Sequence, residues 1–132
     1  MKWLFVVVGL AVSSLCAAQN RWAAAVIDYR LNPREQAFGH GAFFPANVLG
    51  PLKEGISPQA PAATEEQVCS IGDSGFIVVE MIPPVWNGPG KDFTVFENVL
   101  ETPTGFRFEE WMIVSVSNDL QTWYDFPYDS IT

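Results

Sequence analysis

Five oxygen-bearing side chains are the first candidates for chemistry, because each flanks a turn or a strand end predicted from the sequence. They are Asp73, Asp92, Glu97, Asn98 and Asp119. Calcium takes roughly six to eight oxygen ligands, and main-chain carbonyls of a glycine-rich turn such as 87–90 can complete the set. The spacing is not that of an EF-hand loop, and Asp and Asn also close turns without a metal. The sequence predicts calcium as a candidate cofactor, with turn closure as the alternative role.

Aromatic residues near turns suggest a second kind of chemistry, the binding of a sugar ring. The candidates are Trp86, Trp123 and Tyr124. A sugar site needs an exposed aromatic face beside polar groups, and Trp86 precedes a turn at 87–88, so we expect it to be the most exposed of the three. The alternative is packing, since aromatic side chains bury large areas in small β-proteins.

The residues that a hydrolase requires are missing from the pattern. His40 is the sole histidine and lies between two loop glycines. No G-x-S-x-G elbow occurs, and residues 73–75 are better explained as a turn before a strand. Glu109 and Glu110 are adjacent, so on a strand they would point to opposite faces. Cys69 has apolar neighbours and fits the behaviour of a small hydrophobe. The sequence predicts that this chain is not an enzyme.

Proline and glycine divide the chain into short apolar runs, which favours strands over helices. Strands are predicted at 23–29, 75–82, 92–98, 111–117 and 122–126, whereas 31–64 is predicted to be irregular. The run 111–117 alternates most clearly: Met112, Val114 and Val116 share one face, and Ile113, Ser115 and Ser117 share the other. Several short strands without a convincing helix predict an all-β fold, an antiparallel β-sandwich or jelly roll.

Residues 1–18 have the layout of a secretory signal peptide. Lys2 supplies a positive start, 4–15 is mostly apolar, and small residues at 16–18 place cleavage after Ala18. The apolar run is too short for a bilayer core of about 30 Å. Acylation at Cys16 is the alternative, although Leu15 is bulkier than a lipobox prefers. We therefore expect an exported protein, either secreted, periplasmic or at the cell surface.

Cleavage would leave one domain, 19–132, whose composition excludes several classes of function. Cys69 would be its sole cysteine, so neither an internal disulfide nor a multi-cysteine zinc site can form. Losing Lys2 changes the formal net charge from −8 to −9. The remaining Lys and Arg residues are scattered, which excludes the basic surface that nucleic-acid binding requires. No second apolar run is long enough to span a membrane after the leader.

Four motifs, in this order, resemble a domain of bacterial exported and cell-surface proteins. They are Val-Leu-Gly-Pro at 48–51, Ser-Ile-Gly-Asp-Ser-Gly at 70–75, Asn-Gly-Pro-Gly-Lys-Asp-Phe-Thr-Val-Phe-Glu-Asn at 87–98, and Val-Ser-Val-Ser-Asn-Asp at 114–119. The similarity covers about 23–126, and 87–98 is its most specific part. It implies a galactose-binding-like jelly roll, a class in which many members hold a structural calcium.

This chain departs from the resembling domains at three places. Ser74 and Leu120 stand where those domains tend to have glycine, and the chain ends at Thr132, where they continue into a closing strand. We therefore expect either a fragment or a shortened fold, with an open sheet edge that favours self-association. The expected function is a non-catalytic binding module for a glycan or another surface protein. The alternative is an assembly module of a larger surface protein, without a ligand of its own.

Overall fold

The computed structural model describes residues 2–8, 22–32, 37–108 and 110–127. Its strands are β1 (Lys2–Val8), β2 (Ala23–Arg30), β3 (Phe76–Met81), β4 (Leu100–Glu101), β5 (Arg107–Phe108), β6 (Met112–Ser117) and β7 (Tyr124–Asp125). The one helical element of this described part is a short 3-10 turn, Ala46–Val48. The fold is therefore all-β, as predicted. No helix among these residues is long and apolar enough to cross a membrane.

Five strands form one mixed sheet in the order β2-β3-β1-β6-β7, and β4 pairs with β5 separately. The outer pairs β2–β3 and β6–β7 are antiparallel. The central strand β1 runs parallel to both β3 and β6. Its residues, Lys2–Val8, belong to the segment that the sequence analysis assigns to the leader. The middle of the sheet is thus made by the first residues of the chain.

Strand β3 is the most buried element, because the sheet covers both of its edges and loops cover its faces. Ile77, Val78 and Val79 are between 2% and 7% exposed. This confirms the prediction that an uninterrupted apolar run in 75–82 forms a strand buried on both faces. The core forms around Ile77 and Val79 and includes Leu4, Val26, Leu31, Phe44, Val48, Ile71, Met81, Phe93, Val114 and Val116.

Strand β6 alternates as predicted, but its serine face is the more deeply buried one. Ser115 and Ser117 are 0% and 2% exposed. Their hydroxyls donate to carboxylates, Ser115 to Asp125 Oδ1 and Ser117 to Asp119 Oδ1. Buried hydroxyls need such partners, since an unpaired one costs about 1–3 kcal/mol. The serine face of β6 is therefore buried, whereas the alternation of polar and apolar residues alone would suggest that it faces solvent.

Two predicted strands differ from the structure. The sequence predicts a strand at 92–98, and this is wrong: the residues alternate between half-buried and exposed up to Phe96, but no described strand pairs with them. The side chain of Asn98 instead bridges the main chain of Ala62, donating to its O and accepting from its N. The last predicted strand, 122–126, is reduced to Tyr124–Asp125. The irregular stretch predicted at 31–64 contains only the 3-10 turn as regular structure in its described part.

Candidate functional site

An open groove of about 1130 Å³ lies on one face of β3. Ile77, Val79 and Met81 line it from the strand. Most of its other walls come from the loop 46–53 and from the segment 83–98, which contain two of the motifs identified in the sequence. Leu4 of β1 and the segment 67–71 also line it. Proline and glycine interrupt 46–53 and the first part of 83–98, whereas 91–98 contains neither and is irregular because no described strand pairs with it.

Aromatic rings form much of the groove rim. Trp86 is 70% exposed, the largest exposed fraction among the described large apolar residues. Phe96 and Phe108 also line the groove and are 58% and 59% exposed. Trp86 agrees with the expectation from its place before a turn. Phe96 and Phe108 are not among the site residues predicted from the sequence, although the alternation in 92–98 already places Phe96 opposite the half-buried Phe93 and Val95.

Polar side chains stand beside these rings and are held by main-chain N–H groups, Asp92 within its own turn and Glu97 and Asn98 by other segments. Asp92 Oδ1 accepts from the N–H of Gly88 at 2.8 Å, which closes the turn 88–92. Glu97 Oε1 accepts from the N–H of Glu110. Asn98 Oδ1 accepts from the N–H of Ala62 at 2.7 Å. Because each bond fixes a side chain, the groove presents oriented carboxylate and amide groups next to exposed rings. Lys91 adds a cation to the same lining.

A second cleft, of about 470 Å³, lies on the opposite face of β3, where Phe76 and Val78 point. Trp123 and Leu120 line it from the loop after β6, and Arg30 lines it from the end of β2. Arg30 sits over the Phe76 ring, with its guanidinium carbon 5.4 Å from the ring centroid. Trp123 is therefore separated from Trp86 by the sheet. Tyr124 is 65% exposed and lines neither cavity.

The five predicted calcium ligands are divided among three places. Asp92, Glu97 and Asn98 line the groove, whereas Asp73 and Asp119 do not. The residues described contain no group of three or more His, Cys, Asp or Glu side chains that could hold one metal. Asp92 closes its own turn, which is the alternative role that the sequence suggests, whereas Glu97 and Asn98 join separate segments through Glu110 and Ala62. The calcium site stays a prediction.

Asp119 shows this turn-closing role most fully. Its Oδ1 accepts from the N–H groups of Thr122 at 2.7 Å and Gln121 at 2.8 Å. These hydrogen bonds from Thr122 and Gln121, assisted by the hydroxyl of Ser117, lower the pKa of Asp119 to about 2. The carboxylate therefore stays ionised across the neutral and moderately acidic range and anchors the loop that carries Leu120 and Trp123.

The glycine-rich motif at 72–75 is a turn that leads into β3, as predicted. Gly75 N–H donates to Gly72 O at 3.1 Å. Asn32 Nδ2 donates to Asp73 O at 3.0 Å, and Arg30 donates to Ser74 O. A Cβ on Gly72 would lie 2.8 Å from Asn32 O, so the close approach of the two chain segments requires glycine there. The motif thus has a structural role that its resemblance to a nucleophile elbow does not indicate.

His40 and Cys69 occupy one internally bonded loop cluster. His40 Nε2 lies 2.6 Å from Ser70 O, and both groups are partly buried. Burial raises the pKa of the Cys69 thiol to about 11, so the thiolate is disfavoured at neutral pH. This agrees with the expectation that Cys69 packs as a small apolar residue. Asn47 Nδ2 completes the cluster by donating to the carbonyls of Gly39 and Val68.

No protein-family model, no curated protein sequence and no solved structure matches the chain. The groove and its side chains therefore carry the functional argument.

Proposed function

We propose that this chain is an exported, non-catalytic glycan-binding module with a galactose-binding-like jelly-roll architecture, released from or displayed on a bacterial cell. One observation carries the proposal: Trp86, 70% exposed, stands on the wall of a groove of about 1130 Å³ that also presents Asp92, Glu97 and Asn98. An exposed ring beside oriented oxygen and amide groups is the combination that a sugar requires.

The groove and a sugar ring are chemically complementary. A pyranose ring has an apolar face of C–H groups that stacks on an aromatic ring, and an equatorial belt of hydroxyls that donate and accept hydrogen bonds. Carboxylate and amide side chains satisfy those hydroxyls. The groove volume exceeds the roughly 300–1,000 Å³ typical of small-molecule pockets. An oligosaccharide of several units suits this volume better than a single sugar.

The backbone at two motif positions supports the resemblance on which the architecture and export rest. Ser74 and Leu120 stand where the resembling domains tend to have glycine, and they are the two non-glycine residues with positive φ in the described ranges, at 59° and 60°. Glycine is favoured at such angles because it has no Cβ. The turns at 72–75 and 117–120 therefore have the conformation that the glycines of the resembling domains would favour.

Assembly without a ligand is the second candidate function, and the β4–β5 hairpin favours it. Phe106 and Phe108 are each 59% exposed and pack edge to face, with ring centroids 5.1 Å apart. An exposed aromatic pair on a two-stranded hairpin is a typical protein contact. Phe108 also lines the groove, so a variant at Phe108 would not distinguish glycan binding from assembly. Variants at Trp86 and Trp111 distinguish them, because only Trp86 lines the groove.

Titration of the full chain with neutral oligosaccharides, followed by tryptophan fluorescence and calorimetry, tests glycan binding. We expect Trp86→Ala to weaken binding at least about tenfold, since losing one stacking anchor costs more than about 1.4 kcal/mol. Trp111→Ala is the matched control, because Trp111 is 63% exposed but does not line the groove. Equal loss in both variants, or no binding to any oligosaccharide, would contradict the proposal and favour assembly.

A further inference from the structure

The central strand of the sheet has a property that no other strand shares: predicted processing of the leader would remove it. β1 is Lys2–Val8, and the predicted cleavage follows Ala18. It lies in register with β3 from Trp3 opposite Phe76 to Val8 opposite Met81. On its other side it lies in register with β6 from Lys2 opposite Met112 to Val7 opposite Ser117. Its removal would leave both neighbours without a partner on one edge.

The main chains of the two neighbours of β1 are not adjacent, although Val114 and Val116 of β6 pack against the core around Ile77 and Val79 of β3. No Cα atom of β3 lies within 8 Å of any Cα atom of β6. Adjacent strands are about 4.8 Å apart, so the space between β3 and β6 is about 9.6 Å, the width that holds one strand. Without β1 the sheet becomes two antiparallel pairs, β2–β3 and β6–β7, separated by a slot.

Both walls of this slot are held by contacts that do not involve β1. On one side, Arg30 and Asn32 bind the turn that leads into β3. On the other side, Ser115 and Ser117 of β6 donate to Asp125 and Asp119. Direct pairing of β3 with β6 would have to move one of these braced pairs by about 4.8 Å. Each wall therefore has contacts of its own that do not depend on β1.

The chemistry of the slot defines what can fill it. The β3 wall contains Ile77, Val78 and Val79, all buried, and the β6 wall contains Val114 and Val116. An occupant must supply apolar side chains on both faces and main-chain hydrogen bonds on both edges. It must also run parallel to both walls, because β3 and β6 are each parallel to β1.

We propose that the slot between β3 and β6 is a strand-acceptor site. Leader removal vacates it, and it then takes an extended apolar segment of another polypeptide, rich in β-branched and aromatic residues and parallel to both walls. Lys2–Val8, with the sequence Lys-Trp-Leu-Phe-Val-Val-Val, shows the occupant's chemistry. The site rests on the export part of the proposed function, through the leader. Leu4 of β1 and Ile77 and Val79 of the β3 wall also line the groove, whereas Trp86 belongs to the groove alone.

The test uses the full chain with a specific protease sequence inserted between Ala18 and Gln19. After the chain is cut in solution, the probe is a dye-labelled peptide of residues 2–8 with a soluble lysine tail. We expect it to replace the cut leader and to bind at least about tenfold more tightly than the same peptide with Val6→Pro, because proline removes a ladder hydrogen bond. A peptide of reversed sequence is the second control and should bind as poorly as the proline peptide.

Three results would overturn the proposal. The proline peptide could bind as well as the native one. The cut protein could lose its leader while the β3 amides that point towards β1, rather than those that point towards β2, stay protected from hydrogen exchange without peptide, which would mean that β3 and β6 close directly. The cut protein could form a stable dimer that excludes the peptide, which would assign the slot to a second copy. A Trp86→Ala variant that still captures the peptide separates this site from the glycan groove.

A cross-linking measurement keeps the proposal testable if the cut protein does not stay folded. In the uncut chain without Cys16 and Cys69, Val6→Cys and Val116→Cys are register partners and should form a disulfide. Val6→Cys with Ser115→Cys is the control, because neighbouring positions on a strand point to opposite faces. Equal cross-linking of both pairs would show that β1 does not occupy the slot in register.

Discussion

Arg30 and Ser74 are joined across the end of the sheet, because the Arg30 guanidinium donates from Nε and a second nitrogen to the main-chain oxygen of Ser74, with Nε at 3.0 Å. Ser74 has a φ of 59°, so the carbonyl that accepts these bonds belongs to a residue in the left-handed backbone conformation. The same guanidinium lies over the Phe76 ring. One side chain thus ties the last residue of β2 to the turn that starts β3.

Replacing this arginine by lysine tests the contact while keeping the charge. We expect Arg30→Lys to lower the free energy of unfolding by about 1 kcal/mol. An ammonium group cannot donate two bonds to Ser74 O and at the same time stack on the Phe76 ring. Urea unfolding of the full chain measures the change. Arg107→Lys is the control: Arg107 Nε lies 2.9 Å from Glu101 Oε2, but the arginine side chain is 57% exposed. Exposed pairs of this kind contribute only about 0.2–1 kcal/mol, and lysine keeps the charge. An equal decrease in the free energy of unfolding for both variants would contradict the role of Arg30.

Leu120 has a φ of 60°, where a leucine Cβ is close to the following carbonyl. We expect Leu120→Gly to raise the free energy of unfolding by about 1 kcal/mol, the strain of about 1–2 kcal/mol being partly offset by the flexibility of glycine in the unfolded chain. Thermal melting shows the gain as a higher Tm. Leu120→Ala retains the Cβ and should give no gain, so an increase in both variants would assign the effect to the leucine side chain instead.

Gly39 is predicted to be intolerant of any side chain. Its φ is 74°, and a Cβ would lie 2.0 Å from Val68 O and 2.8 Å from Asn47 Nδ2. Gly39→Ala should cost at least about 3 kcal/mol, since strain and steric overlap add. Gly41 is a matched control, because its φ is 65° and a Cβ there would meet no atom within 4 Å, so Gly41→Ala should cost only about 1 kcal/mol. Equal urea midpoints for the two variants would contradict the packing around Gly39.

Asp119 makes stability depend on pH in a defined window. Its pKa is lowered from 3.8 to about 2 by hydrogen bonds from Thr122 and Gln121, so the folded state binds this proton less tightly than the unfolded state. The contribution is therefore complete above the ordinary pKa and is lost as the pH falls through about 2. In Asp119→Asn the urea midpoint of unfolding should change less with pH between 3.8 and about 2 than in the native chain. Glu66→Gln removes an exposed carboxylate from another loop and controls for net charge. An unchanged profile in Asp119→Asn would contradict the assignment.

The predicted calcium site has a direct test in the thermal melt of the full chain. After treatment with chelator, excess calcium should raise the Tm by several degrees, because a ligand that binds only the folded state stabilises it by mass action. Asp92→Asn and Glu97→Gln should each reduce the rise, whereas Asp28→Asn, outside the predicted set, should not. A cooperative melt with no calcium-dependent shift would contradict the prediction and leave these side chains with their main-chain hydrogen bonds alone.

The sequence alone was sufficient to locate the strands whose apolar pattern is set by burial. It predicts β2, β3 and β6 within a residue or two, because period-two alternation and unbroken apolar runs follow directly from which faces a sheet covers. The same local chemistry identifies the turn at 72–75 and the exposure of Trp86. These features depend on neighbours in the chain.

Only the tertiary structure decided the features that depend on partners distant in sequence. Residues 92–98 alternate like a strand, yet no described strand pairs with them, and pairing requires an available edge. The buried serine face of β6 depends on Asp119 and Asp125 reaching it, and the groove brings Trp86, Phe96 and Phe108 together from separate segments. The place of Lys2–Val8 between β3 and β6 is set by register with strands about 70 and 110 residues away. Local pattern fixes which face of a segment is apolar, but long-range register decides what that face meets.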